Sequence, residues 1–163
     1  MPLRKINRLI AIVALKNFNL SKNIAFNELF NLNNKKNSLN INDLGYLIGP
    51  ILNAGGRLGK SSFASELLSS DKLEIVNNRS NELIKLNEKR KEIEKLTLNE
   101  INYKKIEKEN NDVVIYYNPN INEGLIGIIA ARLKDYFNKP AIVMTGSGLL
   151  LKGSARSIHN YNI

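Results

Sequence analysis

At 163 residues the chain has the length of a single domain, and its composition of 43% hydrophobic and 24% charged residues excludes wholesale disorder. With no Cys and a single His, the sequence excludes a disulfide framework and a cysteine nucleophile, and it argues against a Ser/His/Asp triad. The net charge of +9 suits a polyanionic partner such as nucleic acid, although an Asn-, Lys- and Ile-rich composition produces a similar surplus without one.

The first 70 residues are predicted to form a series of short helices. Apolar residues at three- and four-residue spacing predict a helix over 3–17, and further helices are expected over 22–31, 42–48 and 61–69. The apolar run before Lys16 resembles a secretion signal, but it is short and no small-residue cleavage site follows. We therefore expect a helix that is buried in a larger domain. No apolar run approaches the ~20 residues of a membrane span.

Residues 71–109 contain neither Gly nor Pro and are dominated by Leu, Glu, Lys and Arg. A single helix of this length would measure roughly 58 Å at 1.5 Å per residue. Its apolar stripe is narrow, so it is too polar to be the core of one small domain. The segment is predicted to be a helix that connects two bodies, with a short coiled coil as the alternative.

The hydrophobic period changes after this segment. The run 113–117 is bounded by turn residues and predicts a buried strand, and a helix is expected over 125–137. A second strand is expected over 141–144, and a third begins at 149–152. A strand–helix–strand unit is typical of α/β structure, which is the predicted fold class.

Residues 54–61 (Ala-Gly-Gly-Arg-Leu-Gly-Lys-Ser) fit a relaxed phosphate-loop pattern, with Ala54 at the position of the first Gly. Such a loop follows a buried strand, and an Asp that helps to hold its metal follows a later strand. Here Gly49 and Pro50 precede the motif, and the run 113–117 ends in Asn118. The context therefore argues against an NTPase.

The same stretch, extended to 48–58 (IGPILNAGGRL), resembles the motif Gly-Pro-Arg-Leu-Asn-Ala-Ala-Gly-Arg of the RecJ family in the DHH phosphoesterase superfamily. Further segments resemble motifs of this family in the same order and at the same spacing. They are the Pro-Leu and Asn-Arg pairs within residues 1–8, then 87–94 (NEKRKEIE), 123–133 (EGLIGIIAARL) and 152–157 (KGSARS). Together the matches cover nearly all of the chain.

This resemblance implies which residues touch the substrate. In the family, the Arg of the first motif and the Gly-Ser-x-Arg-Ser residues of the last are implicated in holding DNA and its 5′ phosphate. The implied site residues here are Arg57, Ser154 and Arg156, together with Asn53, Gly153 and Ser157.

The chemistry of the last motif suits this role, since small residues admit a close backbone, hydroxyls donate and an Arg offers a bidentate fork. An exposed strand end with turn residues is the alternative for that segment. For Arg57 the alternative is a cation that complements the dipole at a helix C-terminus.

Two positions depart from the family pattern. Ile51 stands where the family has an Arg after Gly-Pro, and Asn122 stands where a His is common before the Gly-x-Ile-Gly helix. His159 fills neither role and is expected to be a surface residue. The missing contacts could be supplied by Lys60 and Lys152.

The family hydrolyses phosphodiesters with the help of two Mn²⁺ or Mg²⁺ ions, which need clustered carboxylates and an Asp-His-His motif. Neither Asp-x-Asp nor Asp-His-His occurs here, and the acidic residues outside the long helix are isolated in sequence. We therefore expect no catalytic residue and no metal site in this chain, and no nuclease activity from it alone. The resemblance then implies an internal piece of the enzyme. Its implied parts are the end of a DHH catalytic domain (1–70), a connecting helix (71–109) and a truncated DHH-associated domain (110–163).

The implied whole protein is a cytoplasmic 5′-3′ exonuclease of DNA repair and recombination. Its expected ligand is single-stranded DNA, a helicase and a single-strand-binding protein are further candidate partners, and no membrane is involved. One alternative is a DHH phosphodiesterase that acts on short oligonucleotides or cyclic dinucleotides, although the motif at 53–57 and the long connector favour the exonuclease. The other alternative is a non-enzymatic nucleic-acid-binding or helical interaction protein.

Overall fold

The computed structural model describes residues 4–35, 38–159 and 161. The chain divides into two compact units, residues 1–87 and 88–163. The first is helical, and the second contains a three-stranded sheet with a helix packed on it, so the predicted α/β class is confirmed. Among the described residues, no helix combines the length and the apolar character needed to cross a membrane.

The first unit consists of short helices and helical turns. In chain order they are α1 (Lys5–Asn17), a 3₁₀ turn (Leu20–Lys22), α2 (Ile24–Leu32), a π-helical turn (Asp43–Ile48), α3 (Gly49–Arg57), α4 (Ser62–Ser69) and the first half of α5 (Leu73–Glu100). The side chain of Asn23 caps α2 by accepting a hydrogen bond from the backbone N–H of Phe26 at 3.0 Å. The helices predicted over 3–17, 22–31 and 61–69 are confirmed to within about two residues.

The core of the first unit is formed by α2, α3, α4 and α5. Its largest fully buried side chains include Leu29, Phe30, Ile48, Ile51, Leu67 and Leu83. In this chain α1 is largely exposed, since Ile6 and Leu9 are more than 60% exposed, although Leu15 packs against the core. The expectation that this helix is buried in a larger domain stays a prediction.

Helix α3 was expected only in the alternative that places Arg57 at a helix C-terminus, because its sequence begins with Gly-Pro and contains two further Gly. Pro50 lies in the first turn, where its missing N–H costs nothing. At Gly55 an added Cβ would lie 2.6 Å from the backbone oxygen of Lys60 and 3.1 Å from Cδ2 of Leu83. Glycine is therefore required there, since the returning chain and α5 approach the helix closely. Residues 54–57 belong to this helix, and no described strand precedes it, so the segment 54–61 lacks the strand-to-helix setting of a phosphate loop.

Residues 71–109, predicted as one helix, contain two. Helix α5 ends at Glu100, and α6 (Tyr103–Glu109) begins after a break at Ile101 and Asn102. The side chain of Asn102 accepts a hydrogen bond from the backbone N–H of Lys105 at 3.0 Å, so it caps a new helix. Ile101 is buried in the core of the second unit, which accounts for the turn in the chain.

The second unit is built on a sheet of β1 (Val114–Tyr117), β2 (Ala141–Ser147) and β3 (Leu150–Arg156), in that spatial order. Strands β1 and β2 are parallel and are connected through α7 (Ile126–Phe137), while β2 and β3 form an antiparallel hairpin. The predicted strand–helix–strand unit is confirmed. Strand β3 begins within the predicted segment 149–152 and continues through the Gly-Ser-Ala-Arg segment.

The loop between β1 and α7 is held to the sheet by a buried hydroxyl. The side chain of Thr145, on β2, is fully buried, and its Oγ1 lies 2.7 Å from the carbonyl oxygen of Ile121 and 3.3 Å from that of Pro119. A buried carbonyl without a partner costs about 1–3 kcal/mol, so this contact sets the position from which α7 starts.

We expect Thr145→Val, which keeps the shape of the side chain and removes the hydroxyl, to destabilise the second unit by ~1–3 kcal/mol. Native-state amide exchange should accelerate in the loop 118–125 and at the start of α7. Thr145→Ser retains the donor and should leave exchange in that loop nearly unchanged. Equal acceleration in both variants would show that the methyl group, and not the hydroxyl, holds the loop.

Candidate nucleic-acid interface

The pairing of β3 with β2 determines where the side chains of the last motif point. Alternate residues of β2 are buried against α7, and each lies opposite a polar residue of β3. The pairs are Thr145 with Lys152, Val143 with Ser154 and Ala141 with Arg156. Because directly opposite residues share a face of a sheet, all three polar residues lie on the face that carries α7.

Ser154 and Arg156 converge on the first turn of α7. A Cβ added to Gly127 would lie 2.8 Å from Nη2 of Arg156 and 3.2 Å from Oγ of Ser154. The guanidinium and the hydroxyl therefore rest against a helix position that has no side chain. Arg156 also donates from Nη1 to the carbonyl oxygen of Ala155 at 3.0 Å, and its side chain remains exposed.

The N-terminus of α7 adds to the positive character of this place. No side chain caps the helix at Leu125, and the polar side chain of Asn122 is engaged in the preceding turn, where it accepts from the N–H of Gly124 at 2.9 Å. The first N–H groups of a helix have no intrahelical acceptor, and the helix dipole favours an anion beside them. A hydroxyl, a guanidinium and a helix N-terminus together form an arrangement that suits phosphate.

An ion pair lies beside this arrangement. Lys152 donates to Oε2 of Glu123 at 2.8 Å. This hydrogen bond holds the pKa of the Glu123 carboxyl below its ordinary value, and a hydrogen bond from the hydroxyl of Ser147 lowers that pKa by a smaller amount. The carboxylate of Glu123 therefore partly offsets the charge of Lys152, which weakens the expectation that Lys152 replaces a missing phosphate contact. Both side chains are solvent-exposed, so the pair adds little stability.

The other residues of the motif have different surroundings. Gly153 lies on the opposite face of the sheet, where a Cβ would meet Cγ of Met144 at 3.3 Å. It therefore accommodates Met144, and its position does not admit a ligand beside Ser154. Ser157 follows the end of β3 and is half-buried.

Asn53 and Arg57 belong to the first unit, one helical turn apart on α3. Asn53 is exposed and Arg57 is half-buried in the last turn of the helix, where a cation complements the dipole. Their four-residue spacing places both side chains on one side of α3. The structure thus brings together Ser154 and Arg156 in one unit, and Asn53 and Arg57 in the other.

Ile51 and Asn122, the two departures from the family pattern, have different consequences. Ile51 is 2% exposed and belongs to the core of the first unit, so this position serves packing. Asn122 is exposed and shapes the turn that leads into α7.

The carboxylates do not fit a divalent metal centre. Among the described residues, no group of three or more His, Asp or Glu side chains lies close enough together to hold an ion. Several of the isolated acids are bound instead by cations. These pairs are Asp43 with Lys35, Glu66 with Arg79, Glu123 with Lys152 and Asp135 with Lys134.

Sequence reasoning missed Gly127 and Glu123 as members of this site. Both lie in the segment 123–133, whose resemblance to the family was noted for its pattern alone. The available signal was a second Gly three residues after Gly124, at the start of a predicted helix, where a glycine lowers helix stability and needs a packing reason.

The chain is similar to known proteins in both sequence and fold. No family model matches the chain. It is 39% identical over 127 residues to the single-stranded-DNA-specific exonuclease RecJ of Haemophilus influenzae, a match that covers 74% of this chain and 22% of that protein. It is 37% identical over 141 residues to RecJ of Escherichia coli, covering 80% and 24%. RecJ of Bacillus subtilis is 31% identical over 170 residues, covering 100% and 21%.

Solved structures with a similar fold are also RecJ proteins. The crystal structure of RecJ from Thermus thermophilus in complex with Mg²⁺ matches with a TM-score of 0.78 and 23% identity, over 97% of this chain and 24% of that one. A structure of exonuclease RecJ bound to manganese matches with a TM-score of 0.75, over 96% and 39%. At this identity the likeness concerns the fold. The chain spans less than a quarter of the length of the curated relatives named above.

We expect Gly127→Ala to displace the guanidinium of Arg156 without unfolding the protein. The new Cβ would overlap the far end of a flexible side chain, while Ala is favoured over Gly within a helix by up to ~1 kcal/mol. The NMR signals of the Arg156 side chain should shift, and stability in urea should be unchanged or higher. Gly56→Ala is the control, because that helical glycine faces open space. Unchanged Arg156 signals in Gly127→Ala would show that the guanidinium does not rest against Gly127.

Proposed function

Since this chain belongs to the RecJ family of single-stranded-DNA-specific exonucleases, we propose that it provides the part of such an enzyme that binds the DNA strand and its 5′-terminal phosphate. The observation that carries the proposal is the convergence of Ser154 and Arg156 on Gly127 at the start of α7. The domain assignment expected from the sequence (1–70, 71–109 and 110–163) is part of the same proposal.

The proposed binding of the terminal phosphate uses three kinds of donor. The Arg156 guanidinium supplies charge and a planar fork, Ser154 supplies a hydroxyl, and the first N–H groups of α7 supply a favourable dipole. Since Gly127 has no side chain, the guanidinium and the hydroxyl can lie against the helix backbone, and a phosphate bound to them would lie near the first N–H groups of α7. A strand held by its end presents its first phosphodiester at a constant position, which is what stepwise removal of nucleotides from one end requires.

We assign a second contact with the strand to α3. Asn53 offers an exposed amide, and Arg57 offers a guanidinium on the same side of the helix. Phosphate contacts of this kind position a strand without reading its sequence. Ser157 is included in the proposed site as the last hydroxyl of the motif. Gly153 is included for an indirect role, since it leaves room for the side chain of Met144 beside it in the sheet.

Hydrolysis in the whole enzyme would use Mg²⁺ or Mn²⁺, ions that the related structures contain. Such an ion supplies charge stabilisation and an activated water. The described residues offer no fitting ligand set, so we assign them no step of the hydrolysis.

Single-stranded DNA is the proposed ligand. A helicase that unwinds duplex DNA, and a single-strand-binding protein that coats the product, are the classes of partner that would supply such a substrate. The proposed location of the protein itself is the cytoplasm.

We expect a 5′-phosphorylated oligonucleotide to bind this chain more tightly than its 5′-hydroxyl twin. A hydrogen bond between charged groups contributes ~1.5–3 kcal/mol, which corresponds to roughly a tenfold to hundredfold preference. Arg156→Ala should abolish the preference, and the affinity should fall as salt rises, because bound counterions are released. Fluorescence anisotropy measures all three quantities.

The control for this experiment is Lys139→Ala, which removes a positive charge beyond the opposite end of α7. Lys139 contacts Asn110 and Asn111 and has no part in the proposed site. It should keep the 5′-phosphate preference. Equal affinity for both oligonucleotides in the wild-type chain would show that the Gly-Ser-Ala-Arg-Ser segment is not a phosphate site.

We expect the purified 163-residue chain to release no nucleotides from single-stranded DNA in the presence of Mg²⁺ or Mn²⁺, because its described carboxylates are dispersed and several are paired with cations. The assay follows acid-soluble nucleotides from a labelled strand, with a mock purification as the control for contaminating nucleases. Release above that control, at a rate proportional to the amount of chain, would show that this chain itself can hydrolyse DNA.

A further inference from the structure

An open groove of about 490 Å³ lies between α5 and α7 in the second unit. It is separate from the turn of α7 that Ser154 and Arg156 contact, and none of its residues belongs to the site described above. Its lining consists mostly of long polar side chains: Arg90, Lys91, Glu94, Lys95, Leu98, Asn99 and Arg132.

A buried carboxylate organises the two arginines of this groove. Glu94 has a side chain only 9% exposed; its Oε2 accepts from Nη1 of Arg90, and its Oε1 accepts from Nε of Arg132, both at 2.8 Å. Both carboxylate oxygens are therefore occupied. A buried carboxylate that holds two guanidinium groups leaves one positive charge in excess, at a defined position.

Arg132 presents this excess charge to solvent. Its side chain is 60% exposed, and beyond the bond from Nε the structure gives it no hydrogen bond to another described residue. The Nη groups can therefore donate to an external anion while Nε remains bound to Glu94. A guanidinium held in this way loses less conformational entropy on binding than a mobile one.

Two lysines extend the positive charge along the groove. Lys95 is exposed and has no ion-pair partner among the described residues, whereas Lys91 pairs with Glu88 at 2.9 Å across an exposed helix surface. Such a surface pair is weak and can be exchanged for a phosphate. With Arg90, Arg132 and Glu94, the lining carries a net charge of +3.

We propose that this groove binds internal phosphates of the DNA strand, as a contact distinct from both the terminal-phosphate site and the α3 contact. The inference rests on the proposed function for the identity of the polyanion. The lining contains no aromatic side chain, so bases have no surface on which to stack, and the contact is with the sugar-phosphate backbone. Binding there is accordingly independent of base sequence.

Helix α7 carries both contacts. Gly127 and Arg132 are five residues apart, which corresponds to about 7.5 Å along the helix axis and about 140° around it, so the two residues face different sides of α7. A trinucleotide held by its end stays at the terminal site, while a longer strand can pass around the helix to the groove. The groove therefore adds affinity that depends on strand length.

The test compares 5′-phosphorylated oligothymidylates, a trinucleotide and a dodecamer, on the full 163-residue chain by fluorescence anisotropy at several salt concentrations. The variant Lys91→Gln/Lys95→Gln removes two exposed charges and leaves Glu94 and both arginines in place. Each phosphate contact with a single strand contributes about 0.7 to the slope of log affinity against log salt. The variant should lower that slope by about 1.4 for the dodecamer and leave the trinucleotide unchanged.

The matched control is Lys104→Gln/Lys105→Gln, which removes the same charge from exposed positions of α6 outside the groove. It should leave both slopes close to wild type. An equal loss of slope in the control, an unchanged slope in the groove variant, or a wild-type chain that binds the dodecamer no better than the trinucleotide would overturn the proposal. Failure of the terminal-phosphate site is distinguishable, because it appears as equal affinity for 5′-phosphoryl and 5′-hydroxyl trinucleotides.

Discussion

The packing of β2 on α7 controls the geometry of the second unit. Ala141, Val143 and Thr145 are fully buried against the helix, so the pleat of β2 has a single possible register relative to α7. Strand β3 is hydrogen-bonded to β2 and takes its pleat from it. A shift of one residue would move Ser154 and Arg156 to the other face of the sheet. The candidate phosphate site therefore depends on apolar burial in the neighbouring strand.

The start of α7 is positioned from both of its sides. Thr145 holds the preceding loop from beneath, through the carbonyl oxygen of Ile121. Arg132, farther along α7, is tied to Glu94 on α5. Each attachment is polar and includes one buried side chain, Thr145 or Glu94, and such contacts lose much of their value when one partner is displaced. These two attachments help to fix α7, and with it Gly127, where the guanidinium of Arg156 and the hydroxyl of Ser154 converge.

The strand–helix–strand unit could be predicted because its signals are local, whereas for α3 only its end at Arg57 was suggested, as an alternative. The apolar runs around Val114 and Val143 and the periodicity of α7 are readable in sequence. In α3, Gly-Pro and a pair of glycines indicate a loop, yet Ile51 and Ala54 are buried in the core and Gly55 admits the returning chain. Tertiary packing here outweighs the low helix propensity of glycine, which destabilises a helix by ~1 kcal/mol per residue relative to Ala.

The same distinction applies to the site. Ser154 and Arg156 could be proposed from their motif, since small residues, a hydroxyl and an arginine carry phosphate chemistry in any setting. Gly127 could not, because its meaning arises from a side chain 29 positions away that reaches it through strand pairing. A glycine in the first turn of a helix lowers the stability of that helix. Here the same glycine leaves space for the guanidinium of Arg156 beside the N–H groups at the helix N-terminus. The cost in helix stability and the room for the Arg156 guanidinium therefore have one cause, the missing side chain of Gly127.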